Sequence, residues 1–411
     1  MNISDNLRRR LFKAKPLPET SFSLRPFAMD SINDTIERSL TSAGLNTQQG
    51  PMKDVMATIQ QSLAQAGLNQ PTSEAGQHGV TIDGVAREIN RNDPFGDAPI
   101  RPTSPANQVP PGEFVSRSFT NQAGTRTYKL YVPSSYAGEL GEPVPVVLML
   151  HGCTQSPDDF AAGTRMNELA EQRGFLVVYP AQAANANGSK CWNWFRSEDQ
   201  GRDRGEPALI TGITREVVAN YHVDENRIFV AGLSAGAAMA VILGTTYPDT
   251  YAAVGAHSGL PYGAAHDMAS AFGAMKGSPG LAGMPNQKGS TTGQTQAALS
   301  LPTIVFHGDS DHTVDARNGV AIVEQARSGY ADEISLQASV RQGTAAGGRK
   351  YSHTVYAHAP NQPIVEQWLL HGAGHAWSGG SPNGSFTDNG GPDASAEMIR
   401  FFYSQQPAGS D

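Results

Sequence analysis

The run RIFVAGLSAGAA at residues 227–238 decides how this chain is read. Its opening residues, Arg227 to Gly232, have the apolar continuity of a buried strand, and the small residues from Ala235 onward begin a helix. Between them lies Gly232-Leu233-Ser234-Ala235-Gly236, a G-x-S-x-G motif. A strand that passes straight into a helix leaves so little room that the neighbours of the serine must be small. The same turn thrusts the serine out over the sheet edge with the helix N-terminus behind it. A bare G-x-S-x-G is a weak signal in a chain with 44 glycines. The strand before it and the helix after it are what make Ser234 a nucleophile, and Ala237 and Ala238 let that helix lie close to its neighbours.

Outward from this motif the pattern alternates. RTYKLYV (126–132) reads as an outer strand, and VPVVLML (144–150) is the continuous apolar run of a strand buried on both faces. FLVVYP after Gly174, AAVGAH ending at His257 and PTIVFHG ending at Gly308 are further buried-strand candidates. Helical stretches fall around 158–173, 210–221, 235–247 and 316–328. Repeated strand and helix units predict an α/β domain over 114–411, with a mostly parallel sheet, helices on both faces and chemistry at the carboxyl ends of the strands. Residues 276–300, rich in Gly, Ser, Thr and Gln, read as an excursion at the rim of the site.

Before this domain, residues 1–70 contain an internal repeat. MDSINDTIERSLTSAGLN from Met29 is echoed by MKDVMATIQQSLAQAGLN from Met52, and each copy predicts a short amphipathic helix stopped by Gly44 or Gly67. Residues 71–113 carry Pro94, Pro99, Pro102, Pro105, Pro110 and Pro111 among polar residues, as a stiffened linker does. The net charge of -8 argues against a nucleic-acid partner, whose phosphates need clustered Lys and Arg. No stretch approaches the length of a membrane-spanning helix. Arg8, Arg9, Arg10, Lys13 and Lys15 resemble the start of a signal peptide, but Pro16, Glu19 and polar residues stand where its apolar segment belongs. The expected location is the cytoplasm, with export by a non-Sec route as the alternative.

An acyl-transfer serine needs amide donors aimed at the developing oxyanion. The residue after the nucleophile, Ala235, supplies one. VPVVLML runs into His151-Gly152-Cys153-Thr154-Gln155, which makes the Cys153 amide the second donor and Thr154 the alternative. Acid and base follow such a serine in chain order. Of the carboxylates after PTIVFHG, Asp309 serves the turn and Asp315 is placed to cap a helix starting at Ala316, leaving Asp311 as the acid. Beyond them His353 and His358 fall within a strand, YSHTVYAH, and His371 closes another, IVEQWLL. His375 lies in the glycine-rich loop GAGHAWSGG and is the base. His257 and Tyr262 are outer candidates. No metal or organic cofactor is called for.

Taken together, HGCTQ, YP followed by CWNWF, GLSAGAAM, HSGLPYGAA, HG plus DHTV, and GHAWSGG make the block from about Arg126 to Phe402 resemble the poly(3-hydroxybutyrate) depolymerase-type esterases of the α/β-hydrolase superfamily, relatives of feruloyl and acetylxylan esterases. The resemblance implies an oxyanion loop at Cys153, a triad acid at Asp311 and a base at His375. It also implies that Cys153 pairs with Cys191, setting Trp192, Trp194 and Trp377 as apolar walls of a substrate cleft. The expected activity is hydrolysis of carboxylic esters through an acyl-enzyme, on hydroxyalkanoate oligomers or polymer. A feruloyl or acetylxylan esterase is the alternative enzyme, and a polyhydroxyalkanoate granule-binding protein is the alternative of another class. Oligomeric state is not legible.

Overall fold

The structure, a computed structural model, describes residues 112–277, 299–330, 336–359 and 362–405. The two repeat helices, the linker as far as residue 111 and residues 278–298 of the glycine-rich excursion lie outside the described residues.

The apolar run at 144–150 is strand β3 (Val144–Leu150), and its reading as a doubly covered strand holds. With a side-chain period of two, Val146, Leu148 and Leu150 join one apolar layer while Val147 and Met149 join the layer on the opposite face. β5 (Val223–Leu233) does the same, sending Ile228 and Val230 one way and Phe229 and Ala231 the other. Around them the described chain forms a ten-stranded sheet. Its centre is parallel: β4 (Leu176–Pro180), β3, β5, β6 (Ala253–His257), β7 (Thr303–Gly308) and β10 (Gln362–Leu370). At one edge β1 (Glu113–Asn121) and β2 (Gly124–Val132) are antiparallel, and at the other β8 (Gln337–Thr344) and β9 (Lys350–Ala359) pair antiparallel with β10. Antiparallel edges can be joined by short turns, whereas each parallel step needs a crossover long enough to cover a face.

The stretch read as one helix over 158–173 is two, α1 (Pro157–Thr164) and α2 (Met166–Arg173), broken at Arg165 with φ 54°. Ser156 caps α1 by accepting the Asp159 amide at 3.2 Å, and Pro157 occupies the first turn. The break has a tertiary cause. It turns the Arg165 guanidinium onto the Gly379 carbonyl at 3.0 Å and the Asp393 carboxylate at 3.1 Å, in and beyond the loop that carries His375. The other covering helices are α3 (Gly205–Asn220), α4 (Ala235–Thr246), α5 (Met268–Met275), α6 (Arg317–Ser328) and α7 (Ala394–Tyr403). α6 begins one residue after the predicted start, and Asp315 accepts the Arg317 amide at 2.9 Å while pairing with its guanidinium.

The tightest packing lies where β5 enters α4. A Cβ on Gly236 would sit against the Leu150 carbonyl oxygen and 2.6 Å from that of His151, and one on Gly232 would meet the Leu150 carbonyl oxygen at 2.7 Å. Those atoms belong to the backbone and have nowhere to go. Gly236→Ala should therefore lower stability by about 3 kcal/mol or more and shift the end of β3. Thermal unfolding of the purified variant checks this, and an unchanged melting temperature would refute the close approach.

Candidate active site

Ser234 sits at the β5–α4 turn with φ 57° and ψ -121°, a conformation costly for any side chain. Its amide donates to the carbonyl of His257 at the end of β6, 2.9 Å away. Ala235 opens α4, which has no side-chain cap at its N-terminus, so the first amides of the helix remain available.

Beside the serine runs the loop after β3. A Cβ on Gly152 would stand 3.6 Å from the Ser234 Cβ, which measures how near the two backbones lie. The loop is held peptide by peptide. The Gly152 amide donates to Gln155 Oε1 at 2.9 Å, and the Thr154 amide to the Ser189 carbonyl at 2.7 Å. Thr154 is thereby spent, and of the two residues weighed for the second donor only Cys153 keeps an amide without a hydrogen-bond partner among the described residues. His151 Nε2 accepts the Gln182 amide at 3.1 Å, so the ring proton is on Nδ1 and is donated to the Gly152 carbonyl at 2.7 Å. Because the C=O and N–H of one trans peptide point in opposite directions, anchoring the Gly152 oxygen also orients the Cys153 N–H. Cys153 and Cys191 form the disulfide that the family resemblance implied.

Asp311 and His375 meet as a pair. His375 Nδ1 donates to Asp311 Oδ2 at 2.7 Å, and Asp311 Oδ1 accepts the amides of Thr313 and Val314, each at 2.9 Å. Burial alone would raise the Asp311 carboxyl, but the hydrogen bond from His375, its charge and the Val314 amide hold it below its ordinary value. The His375 loop is fastened to the serine through His257. The ring Nε2 of His257 accepts the Ser378 amide at 3.0 Å, its Nδ1–H donates to Ser258 Oγ at 3.2 Å, and it stacks on Trp377 with centroids 5.2 Å apart.

The remaining residues sort by contact. Asp309 accepts His371 Nδ1 at 3.0 Å and the Gly372 amide at 2.6 Å, fastening the start of the His375 loop, and His371 Nε2 lies 2.9 Å from Ser352 Oγ. This second Ser–His–Asp row lacks the nucleophile geometry, because Ser352 lies within β9 and is paired on both sides. His353 binds the buried Glu366 at 2.9 Å, as a structural residue does. Tyr262 donates to the Gln200 carbonyl at 2.9 Å.

The tryptophans correct the sequence reading. Trp192 is 0% exposed and donates to the His151 carbonyl at 3.0 Å, and Trp377 is 1% exposed and donates to Ser395 Oγ at 3.1 Å. Both brace the loops from behind instead of walling an open cleft, and Trp194 is likewise buried, edge-on to Phe195. The indole N–H groups of Trp192 and Trp377 find partners inside the domain, which composition does not reveal. Sequence reasoning also passed over His151 and Gln155, although both lie in the HGCTQ run whose third residue it chose.

Residues 126–342 match the family model described as esterase PHB depolymerase, a span that includes Ser234 and Asp311. The chain belongs to this family. The chain is 34% identical to poly(3-hydroxyalkanoate) depolymerase C of Paucimonas lemoignei over 64% of this chain and 60% of that one. It is 27% identical to feruloyl esterase B of Neurospora crassa (54% and 75% covered) and 26% identical to acetylxylan esterase A of Talaromyces purpureogenus (48% and 52%). The chain thus spans about 60% or less of the polyester-degrading and acetylxylan relatives. Among solved structures, the acetyl xylan esterase from Aspergillus awamori superposes with a TM-score of 0.52 at 16% identity, covering 71% of this chain and 99% of that one. The fold is that of the α/β-hydrolases.

Two of the buried histidines, His151 and His257, give the site a pH signature. Burial pushes His151 down to about 4, and burial followed by the charges of His307 and His375 pushes His257 down to about 3. Unfolded, both titrate near 6.5, so below that pH the unfolded chain binds protons that the folded one refuses. Stability present in full above pH ~6.5 is lost as the pH falls toward 4 for His151 and toward 3 for His257, by up to about 1.4 kcal/mol per pH unit for each. Melting temperature should fall between pH 7 and pH 4.5, and His257→Gln should flatten part of that fall. An identical pH slope in the variant would show that His257 is not held neutral.

Proposed function

We propose that this chain is a serine esterase that cleaves carboxylic esters through an acyl-enzyme, with poly(3-hydroxybutyrate) or its oligomers as substrate. The observation that carries the proposal is the part-buried 2.7 Å Asp311–His375 pair, tied through His257 to a strained serine at a helix start. In this reading Ser234 Oγ attacks the ester carbonyl carbon and its proton passes to His375 Nε2. Asp311 stabilises the imidazolium that forms. The carbonyl oxygen, now carrying the charge, is met by the Cys153 and Ala235 amides. Collapse of this intermediate breaks the bond to the alcohol, which leaves with the proton from His375. Water then repeats the sequence on the acyl-enzyme and frees Ser234.

Ser234→Ala should lower kcat by roughly 10⁴-fold or more at little cost in stability, since one oxygen is lost and hardly any volume. Asp311→Asn should be far more damaging than Asp309→Asn, because only Asp311 contacts His375. Hydrolysis of p-nitrophenyl acetate by the purified variants decides both points, and a Ser234→Ala enzyme near the wild-type rate would end the proposal.

Feruloyl and acetylxylan esters are the second reading, favoured by the names of two of the relatives. A granule-binding protein without turnover is disfavoured, since mere adsorption gives no reason to keep Ser234 in a costly conformation. The disulfide supports the export route over the cytoplasm, because such bonds persist in oxidising compartments. Substrate choice is tested by comparing 3-hydroxybutyrate dimers and trimers with methyl ferulate. A cleft fitted to a four-carbon hydroxyacid should favour the former in kcat/KM, given that one misplaced methylene shifts rates by roughly 10 to 200-fold. The opposite order would assign the chain to the cell-wall esterases.

A further inference from the structure

Trp192, Trp194 and Trp377 are turned inward, whereas one aromatic side chain between the Cys153 and His375 loops is exposed. Phe386 is 45% exposed and has φ 52°. A bulky side chain in the left-handed region is unfavourable, and such strain persists only where the surroundings enforce it. Here they enforce it from both sides. On one side, Ser385 gives its amide to Asp159 Oδ1 at 2.9 Å and its hydroxyl to Oδ2 at 2.6 Å. Its carbonyl accepts Gln155 Nε2 at 3.1 Å, and Gln155 Oε1 holds the Gly152 amide beside Ser234. On the other side, the Phe386 carbonyl accepts the amide of Trp377 at 2.7 Å, two residues past His375. β11 (Trp377–Ser378) then pairs with β12 (Thr387–Asp388), continuing the tie between the two loops.

The backbone of Phe386 is therefore suspended between the loop of Cys153 and the loop of His375, with its ring left open to solvent. A core residue would have buried that ring, and a bulky side chain at this φ costs more than glycine would. We propose that Phe386 is a specificity-determining residue that packs against the apolar chain of the ester beyond the scissile carbonyl. The proposal rests on the esterase reading above. It gives the site an aromatic contact in place of Trp192, Trp194 and Trp377.

The test uses full-length protein and three soluble esters, methyl acetate, methyl hexanoate and hexyl acetate, followed by acid release. Phe386→Gly removes the ring and relieves the backbone, Phe386→Asn removes the ring with a residue that tolerates the left-handed region, and Phe386→Tyr keeps the ring. In the Gly and Asn variants, kcat/KM for at least one long-chain ester should fall relative to methyl acetate by on the order of tenfold, mainly through KM, and the Tyr variant should retain the wild-type ratio. Whether methyl hexanoate or hexyl acetate suffers tells whether the ring meets the acyl or the alcohol chain. The melting temperature of Phe386→Gly should not drop. Unchanged ratios in an active enzyme would overturn the role of Phe386 alone. A wild-type protein that turns over none of the three esters would overturn the esterase reading and this inference with it.

Discussion

The carbonyl of His257 accepts the amide of Ser234, and its imidazole accepts the amide of Ser378, so one residue at the end of β6 holds the Ser234 turn and the His375 loop at once. The second of these bonds requires a neutral ring. An imidazolium would have no lone pair for Ser378, and desolvation disfavours the charge in any case. The ring lies between Phe306 and Trp377, stacked on both, which explains why a fully buried indole stands two residues past His375. The tryptophan fixes the ring that fixes the loop.

The oxyanion side is built on the same principle with different atoms. His151, also buried and neutral, pins the Gly152 carbonyl, while Trp192 pins the carbonyl of His151 itself. Behind them Glu206 gathers the segment containing Cys191. Its carboxylate accepts the Asn193 amide at 2.7 Å and the Asn193 side chain at 2.8 Å, is also bonded to Gln182, and lies 3.4 Å from Arg126. Burial, then the neighbouring Asp199, raises the Glu206 carboxyl. A carboxylate this deep is tolerable only because donors surround it. The disulfide joins this segment to Cys153, so the amide assigned to the oxyanion is carried on a loop clamped through its peptides and its side chain.

Local sequence was sufficient wherever a residue's job is set by its immediate neighbours along the chain. A serine between a buried strand and a helix, flanked by glycines that a Cβ would drive into the β3 carbonyls, can be read from twelve letters, because sterics there leave no other choice. The parallel core was legible for the same reason, since strands covered on both faces must be apolar at every position. Asp311 and His375 could be singled out because three carboxylates follow PTIVFHG and four histidines lie beyond them, and the structure places these two 2.7 Å apart. Tertiary structure alone decided what depends on contacts between distant segments. The helix break at Arg165 arises from a carbonyl more than two hundred residues away, and the inward turn of Trp192 and Trp377 arises from acceptors supplied by His151 and Ser395. The choice of Cys153 over Thr154 rests on a bond to Ser189, and the exposure of Phe386 rests on bonds made by its neighbours. An aromatic residue has the same composition inside or outside, and only the partners folded against it determine which face it shows.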